Sequence, residues 1–510
     1  MIERYWKHPL FIPALFAAAK LLLQLYVNAI GGYGFFRDEL YYIVSTDHLS
    51  AGYVDHPPLS IFILAVSKLL FGDSLFAIRL IPAVASAGVV FLAGVLARGL
   101  GGGRTAQVLA CSAAFVSIIL HAFGTFYSMN ILDMLIWSLA FLQLMRLVRQ
   151  PTTREWLILG VILGLGLLNK IGVLWLGAGI FAGIILTPLR SELRKPGPWL
   201  AGATALMLFL PFIVWNALND WAHIEFIRNA TGDKYAGLTI VDFLGGQFLV
   251  QNPVTAPLWI GGLVWFFTTK GKEFRLLGIT YIVCLVVLIA NGHSKPEYLS
   301  SFYTVLFASG GVLFESFPSR GVKFLATRAY AVILAIGLVM LPITLPILPV
   351  GSYIRFAETI GIQPSTAESK ELAELPQFYA DMFGWPELAE NVIQVYESLP
   401  DSERASCLIF GGNYGEASAV IFFGRDREIP RVVSGHNSYF LWGPGEENPG
   451  TVIVIGGREE NHRQSFDSVV VAATHRADYA MPYENDLPIY VCRGLKIPIS
   501  KAWSRVKNYS

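Results

Sequence analysis

Charge is what this sequence has least of. Only 15% of its 510 residues are Asp, Glu, Lys or Arg, and 54% are hydrophobic, with a mean hydropathy of +0.52. Soluble domains carry roughly 25% charged residues, so this composition excludes an ordinary soluble enzyme and points to a chain that crosses a membrane several times. No basic cluster interleaved with aromatics occurs, which argues against nucleic acid as a partner. Cysteine is also scarce, at four residues. Cys111 and Cys284 fall inside apolar runs and read as small hydrophobes. Cys407 and Cys492 lie in strand-like segments, where a disulfide would need an oxidising compartment and a geometry that spacing does not establish. There is no internal repeat and no low-complexity tract. The first apolar run is too long for a signal-peptide core and has no clear small-residue cleavage site, so it reads as a retained helix.

Long apolar runs are what the chain does have. Eleven recur before residue 350: Pro9–Ile30, Leu75–Ala97, Thr105–His121, Ile131–Leu147, Trp156–Leu168, Ile171–Leu189, Trp199–Leu218, Pro253–Phe267, Leu276–Ala290, Tyr298–Phe314 and Ala329–Pro349. Each is read as a transmembrane helix. A shorter run, Leu59–Phe71, is expected to lie along the interface. Basic residues mark every second loop: Arg4 and Lys7, Arg98 and Arg104, Arg146 to Arg154, Arg190 to Lys195, Lys270 to Arg275, and Arg320 to Arg328. By the positive-inside rule these face the cytoplasm, which gives a cytoplasmic N-terminus and an external C-terminal part.

After Pro349 the texture changes. Short β-rich runs (Ser406–Phe410, Thr451–Ile455, Ser468–Ala472, Ile489–Cys492) alternate with helix-like segments such as Pro386–Ser398. This predicts two domains: residues 1–349 in the membrane, and residues 350–510 as an extracytoplasmic α/β domain with a partly parallel sheet.

The unusual polar residues of the membrane half all fall on the external side. Phe36-Arg37-Asp38-Glu39 follows the first run, and Asp55-His56-Pro57-Pro58 follows a short gap. Acids so close to a bilayer are expensive unless they serve a site. A carboxylate in a low-dielectric cleft is suited to accepting a proton from a nucleophile, so Asp38 and Glu39 are catalytic candidates. Asp55 and His56 form an Asp–His pair that either contributes metal ligands or turns a structural loop. Asp133 opens an apolar helix, as a site residue or a helix cap. Lys170, between two apolar runs, suits a phosphate counter-charge or snorkels to the interface. His223 lies on a helix-like stretch of the loop Asn219–Asn252 that reads as an interfacial helix. Lys295 and Tyr298 fall in the external loop His293-Ser294-Lys295-Pro296-Glu297-Tyr298. In the C-terminal part, Gly411-Gly412-Asn413-Tyr414-Gly415-Glu416 and Ser434-Gly435-His436-Asn437 place Asn413, Tyr414, His436 and Asn437 on loops fit for carbohydrate, or simply turned by glycine. The first of these is not a dinucleotide fingerprint, since the Gly-x-Gly-x-x-Gly order is absent.

Gly34–Tyr42, Gly52–Leu59 and Gly72–Pro82 resemble the bacterial branch of the protein-mannosyltransferase-like family, the C-type glycosyltransferases that use polyprenyl-phosphate sugars. That branch includes aminoarabinose and galacturonosyltransferases, and the resemblance covers most of the first 315 residues. It implies a C-type glycosyltransferase fold, with Asp38 as the base or acceptor-orienting acid and Asp133 as a second acid lining the cavity. Asp55 matches the family's polar residue before Pro-Pro, whereas His56 stands where some relatives have Lys. Asn169-Lys170 and Lys295-Pro296-x-Tyr298 resemble family turns near the lipid phosphate, and His223 a position that can bind metal.

The expected protein is thus an inner-membrane glycosyltransferase of inverting type. Its partners would be a polyprenyl-phosphate-linked sugar, membrane lipid and an extracytoplasmic acceptor: lipopolysaccharide, another envelope glycan, or protein. No cofactor is required by ligand spacing, although a divalent metal fits the family. The rival reading, a lipid-linked sugar transporter or flippase, would favour charges near the midplane and repeated halves, and neither is apparent.

Overall fold

The computed structural model describes residues 8–234, 239–317, 319–366, 371–445 and 448–510. Arg4, Lys7 and the side chains of Arg320 and Lys323, used in the charge argument, lie outside the described residues. All eleven predicted runs are helical. Among the described residues, six helices are long and apolar enough to cross a membrane, or eight if each of two bent pairs makes one span. The number eleven is not reached because several runs are short or broken. The run Thr105–His121 divides at Ser117 into Arg104–Val116 and Ile118–Thr125, bent by 58°. The run Tyr298–Phe314 begins as a 3₁₀ turn, Pro296–Phe302, before its α-helix, Tyr303–Glu315. The short run Leu59–Phe71 is a helix with the predicted ends. Phe62, Val66, Leu69, Leu70 and Phe71 on its outer side are exposed, an apolar face that suits a lipid surface.

Close approach between helices depends on small residues, as is usual in bilayers. Helix Ala256–Trp265 meets helix Tyr303–Glu315 so tightly that a Cβ at Gly262 would sit 2.1 Å from Leu306 O, and one at Gly310 2.0 Å from Leu258 O. Both obstacles are backbone and cannot swing aside. Gly310→Ala is therefore expected to destabilise the protein by about 1–3 kcal/mol through overpacking. Thermal unfolding in detergent measures this, and an unchanged midpoint would refute it.

The C-terminal part contains one five-stranded sheet, with β1 Cys407–Gly411, β2 Arg431–Ser434, β3 Thr451–Ile455, β4 Phe466–His475 and β5 Leu487–Leu495, in the order β2-β1-β3-β5-β4. The first three strands are mutually parallel, and β5 and β4 add antiparallel. Helix Trp385–Glu397, predicted one residue later, packs beside helix Tyr414–Gly424. Cys407 pairs across from Thr451, and Cys492 across from Val452. The two cysteines thus lie on strands separated by β3, about 10 Å apart at the strand spacing of 4.7–4.9 Å, beyond disulfide reach. Both are free.

One buried cluster ties this sheet to the membrane half. Leu40, Tyr41 and Val44 from helix Arg37–Ser45 are buried with Ile409, Val420 and Ile489, and Phe35 meets Phe422 edge-on with centroids 4.9 Å apart. This contact places the first polar loop against the C-terminal sheet.

Candidate functional site

A cavity of about 290 Å³ opens where the polar loops meet the sheet, and Asp38, Asp55, Lys170, His223, Lys295 and Tyr298 all line it. The lining runs from Arg37 to Ser510, so residues from both parts of the chain share one chamber. Arg37, Tyr41, Tyr42, Asn130, Trp175 and Tyr414 complete much of its wall.

Asp38 owes its position to a helix start. Helix Arg37–Ser45 begins after Phe36, whose backbone N–H donates to Glu39 Oε2 at 2.9 Å. This is half of a capping box, and both acids suit the positive end of the helix. Successive helical residues diverge by about 100°, so the two neighbouring acids face opposite ways. Asp38 looks into the chamber, where Oδ1 accepts the Tyr414 hydroxyl at 2.8 Å and lies 3.5 Å from Arg37 Nε. Glu39 turns into the protein and is fully buried. Its carboxylate accepts from Arg79 Nη2 at 2.7 Å, Arg79 Nε at 3.1 Å and the backbone N–H of Tyr127 at 2.8 Å. With every position taken and no wall of the cavity to its credit, Glu39 is a structural residue, which corrects its expected catalytic part.

Asp55 Oδ1 accepts the Tyr41 hydroxyl at 2.8 Å. Burial, reinforced by Asp55, pushes the Tyr41 phenol well above its ordinary range, so it stays a neutral donor. His56 does not reach the cavity wall. It is buried, stacked on Tyr42 at 4.7 Å, with Nδ1 3.0 Å from Pro57 O. Of the two alternatives, His56 therefore takes the structural one, as packing that fixes the Asp55 loop. His223 does reach the wall, and Nδ1 pairs with Val54 O at 2.8 Å. Burial lowers its imidazole below the usual range, keeping it neutral. Its Nε2 is buried and has no hydrogen-bond partner among the described residues. Asp55 and His223 would make two ligands for a metal, but among the described residues no group of three or more His, Cys, Asp or Glu is arranged to hold one. Asp55 and His223 thus share the cavity as two of the donors a metal would need.

Lys170 sits in the break between helix Thr153–Asn169 and helix Val173–Ile185. Asn169 Nδ2 ties that break to Met129 O at 2.9 Å, and Lys170 Nζ donates to Asn130 Oδ1 at 2.7 Å. The ammonium also lies 5.5 Å from the centre of the Tyr298 ring. Lys295, 3.8 Å from Glu297, enters from the turn before Tyr298. Asp133 stands behind this wall rather than in it, buried, with Oδ2 accepting from Ser301 Oγ at 2.7 Å. The chamber is thus lined by the carboxylates of Asp38, Asp55 and Glu297 and by the cations of Arg37, Lys170 and Lys295. Such a chamber can bind an anionic group and accept a proton beside it.

Of the four C-terminal loop residues, Tyr414 and Asn437 border the cavity, whereas Asn413 and His436 do not. Asn413 caps helix Tyr414–Gly424 by accepting the Glu416 N–H at 3.0 Å, and its amide donates to both Glu416 and Glu484 at 2.8 Å. His436 pairs through Nε2 with Ser510 O at 3.0 Å and lies 4.7 Å from the Tyr414 ring. Their expected contact with acceptor glycan is replaced by support of Tyr414. An Asn followed three residues later by Glu is a helix-start signature, and it was the available signal for Asn413. Arg37, quoted in the first motif without a part to play, is the wall residue the sequence reading passed over most plainly.

Residues 55–215 match the family described as dolichyl-phosphate-mannose-protein mannosyltransferase. The chain is 24% identical over 262 residues to lipid A galacturonosyltransferase RgtD of Rhizobium johnstonii, and the match spans half of this chain and 55% of that one. Its fold matches the crystal structure of ArnT from Cupriavidus metallidurans bound to undecaprenyl phosphate, with a TM-score of 0.58 at 14% identity over 94% of this chain and 97% of that one. The apo form of ArnT matches equally, with a TM-score of 0.58 at 13% identity over the same shares of the two chains. The fold is thus that of a C-type glycosyltransferase, a multi-span membrane protein.

Proposed function

We propose that this protein is an inverting membrane glycosyltransferase that moves a sugar from a polyprenyl-phosphate donor to an extracytoplasmic acceptor. Lipopolysaccharide is the favoured acceptor class, because the curated relative acts on lipid A. The observation that carries the reading is the single chamber lined by Asp38 together with Lys170 and Lys295. Lys170 and Lys295 neutralise the donor phosphate and the charge that grows on it as the glycosidic bond breaks. Asp38 orients the acceptor and takes its proton as the new bond forms, with inversion following from direct displacement. Asp55, held by Tyr41, and Tyr298 contact the bound substrates, and Asp133, held by Ser301, attracts the Lys170 ammonium from behind the wall.

The same reading puts the N-terminus in the cytoplasm of a bacterium and the chamber on the outer face of its inner membrane. Residues 350–510 then form an extracytoplasmic domain that closes the chamber over residues 1–349. The decisive experiment is transfer of labelled sugar from undecaprenyl-phosphate donors to lipid A by the purified protein. Lys170→Met should lower kcat by about 10²–10³, the usual cost of removing one group that stabilises developing charge. Donor binding without turnover by the wild type, across donors and acceptors, would instead support a carrier of lipid-linked sugars.

A further inference from the structure

One turn in the wall of the chamber holds backbone strain that the chemistry above does not use. Asn437 is the first central residue of a turn closed by the Tyr439 N–H, which donates to His436 O at 3.2 Å. Its φ is 47° and its ψ −132°. Glycine ordinarily fills this place in a turn of that shape, because a side chain is crowded there. The loop has glycine two residues earlier, at Gly435, where a Cβ would collide with Val506 O, yet asparagine at the turn itself. Strain of this kind gathers at functional sites and persists only where the surroundings enforce it. Here they do. The Asn437 N–H donates to Asn508 O at 2.8 Å, Ser438 Oγ accepts the Val54 N–H at 3.0 Å, and the Ser438 N–H meets the Tyr41 hydroxyl at 3.4 Å.

What the strained turn presents is an amide with nothing to hold. Asn437 borders the chamber and is 2% exposed. Its Oδ1 is buried without a hydrogen-bond partner, and no described residue accepts from its Nδ2. A buried amide bare at both ends is destabilising, so one in a cavity wall marks a place where a ligand's polar groups belong. Asp55 stands beside it. Asp55 Oδ1 accepts the Tyr41 hydroxyl, the same hydroxyl that meets the Ser438 N–H. The Asp55 side chain is 17% exposed, and no described residue donates to its other oxygen. The donors and acceptors left over decide the class of ligand. A phosphate only accepts, so it would leave Oδ1 bare and be repelled by Asp55. An ammonium only donates, so it would leave Nδ2 bare. Hydroxyl groups do both.

We propose that Asn437 and Asp55 together recognise a pair of neighbouring hydroxyls on a saccharide in the chamber, and that the turn is strained in order to present the Asn437 amide to them. Asn437 Nδ2 donates to the oxygen of one hydroxyl, whose hydrogen goes to the open oxygen of Asp55. Asn437 Oδ1 accepts from the second hydroxyl. Asn437 is then a specificity residue, which sorts sugars by where their hydroxyls stand and moves no proton in the reaction. This rests on the transferase reading. The saccharide is the sugar carried by the polyprenyl phosphate or a sugar of the acceptor, since both present the same chemistry.

The test uses the full-length protein with monodeoxy analogues, made in turn of the donor sugar that the wild type transfers and of the acceptor saccharide. For at least one missing hydroxyl the wild type should lose about 10–100-fold in kcat/KM, the usual effect of leaving buried hydrogen-bonding groups unpaired. In Asn437→Gly that penalty should shrink to about twofold or less, while the penalties for other hydroxyls stay. The arm that responds, donor or acceptor, names the saccharide. Penalties that are the same in wild type and Asn437→Gly at every position, in both arms, would overturn the proposal. Stability separates recognition from folding. Glycine adopts a positive φ freely, so Asn437→Gly should melt in detergent at or above the wild-type temperature. A lower melting point with unchanged penalties would make Asn437 a structural residue. Should the wild type transfer no sugar, the transferase reading falls and binding decides. Undecaprenyl-phosphate hexoses should then raise the wild-type melting point further than undecaprenyl phosphate does, and that increment should vanish in Asn437→Gly. An increment that persists in the variant, or is absent from the wild type, overturns the proposal. If Asn437→Gly fails to fold, Asn437→Asp serves. It keeps the shape of the side chain but loses the donor, so the same hydroxyl penalty should vanish.

Discussion

Asp38→Asn is expected to cut sugar transfer by about 10²–10⁴-fold, the range spanned by removal of a positioned general base. The amide keeps an oxygen in the place of Oδ1, so the Tyr414 hydroxyl still has its acceptor and the fold should be undisturbed. What vanishes is the capacity to take a proton. The loss should therefore appear in kcat, with donor binding nearly unchanged, because Lys170 and Lys295 still line the chamber. A folded variant with wild-type turnover would remove Asp38 from the centre of the mechanism. Asp38→Glu is a useful companion. It restores the carboxyl but moves it outward by one methylene against Tyr414 and Arg37, so partial recovery is expected.

The neighbouring acid predicts an effect of a different kind. Glu39 is fully buried and Arg79 is 2% exposed. Arg79→Met leaves the Glu39 carboxylate with backbone donors alone in a dry interior, at a cost of about 3–5 kcal/mol. The guanidinium also donates to Gly34 O at 2.8 Å, so the loop ahead of Asp38 should loosen as well. Thermal unfolding in detergent should show a large drop for Arg79→Met. The double variant Glu39→Leu with Arg79→Met should recover part of it, since replacing both members of a buried pair is far cheaper than orphaning one. A melting point equal to that of the wild type in the single variant would show that the pair is not what fixes this loop.

These two residues also mark the boundary of what could be read from the sequence. An Asp-Glu pair beside an apolar run declares that something polar is needed there. Which of the two faces the chamber depends on the phase of a nine-residue helix, set by the Phe36 cap and by Tyr127, 88 positions away. The long helices were legible because apolar periodicity is a local property, and Leu59–Phe71 was legible to the residue for that reason. Strand β2 was missed. Arg431-Val432-Val433-Ser434 has only two strand-forming residues, and it becomes a strand by pairing with β1. The lysines could be found because a cation between apolar runs is conspicuous. Asn413 and His436 misled for the opposite reason, since loop polarity looks the same whether it awaits a ligand or fastens a turn. The hydroxyl that meets Asp38 comes from Tyr414, and nothing near either residue announces the other.

That separation has a consequence for how the protein is made. Asp38 and Tyr414 lie 376 positions apart. Closing so long a loop adds little free energy, about 0.6 kcal/mol for each doubling of length, but contacts this distant form late and slowly. A nascent chain whose helices are inserted as far as Glu315 already carries both lysines and Asp38. It lacks the strand, the cap and the hydroxyl that close the chamber. Asp38 and the two lysines therefore wait in an open, unfinished cavity until synthesis has passed β5 and the sheet has folded back onto the first loop.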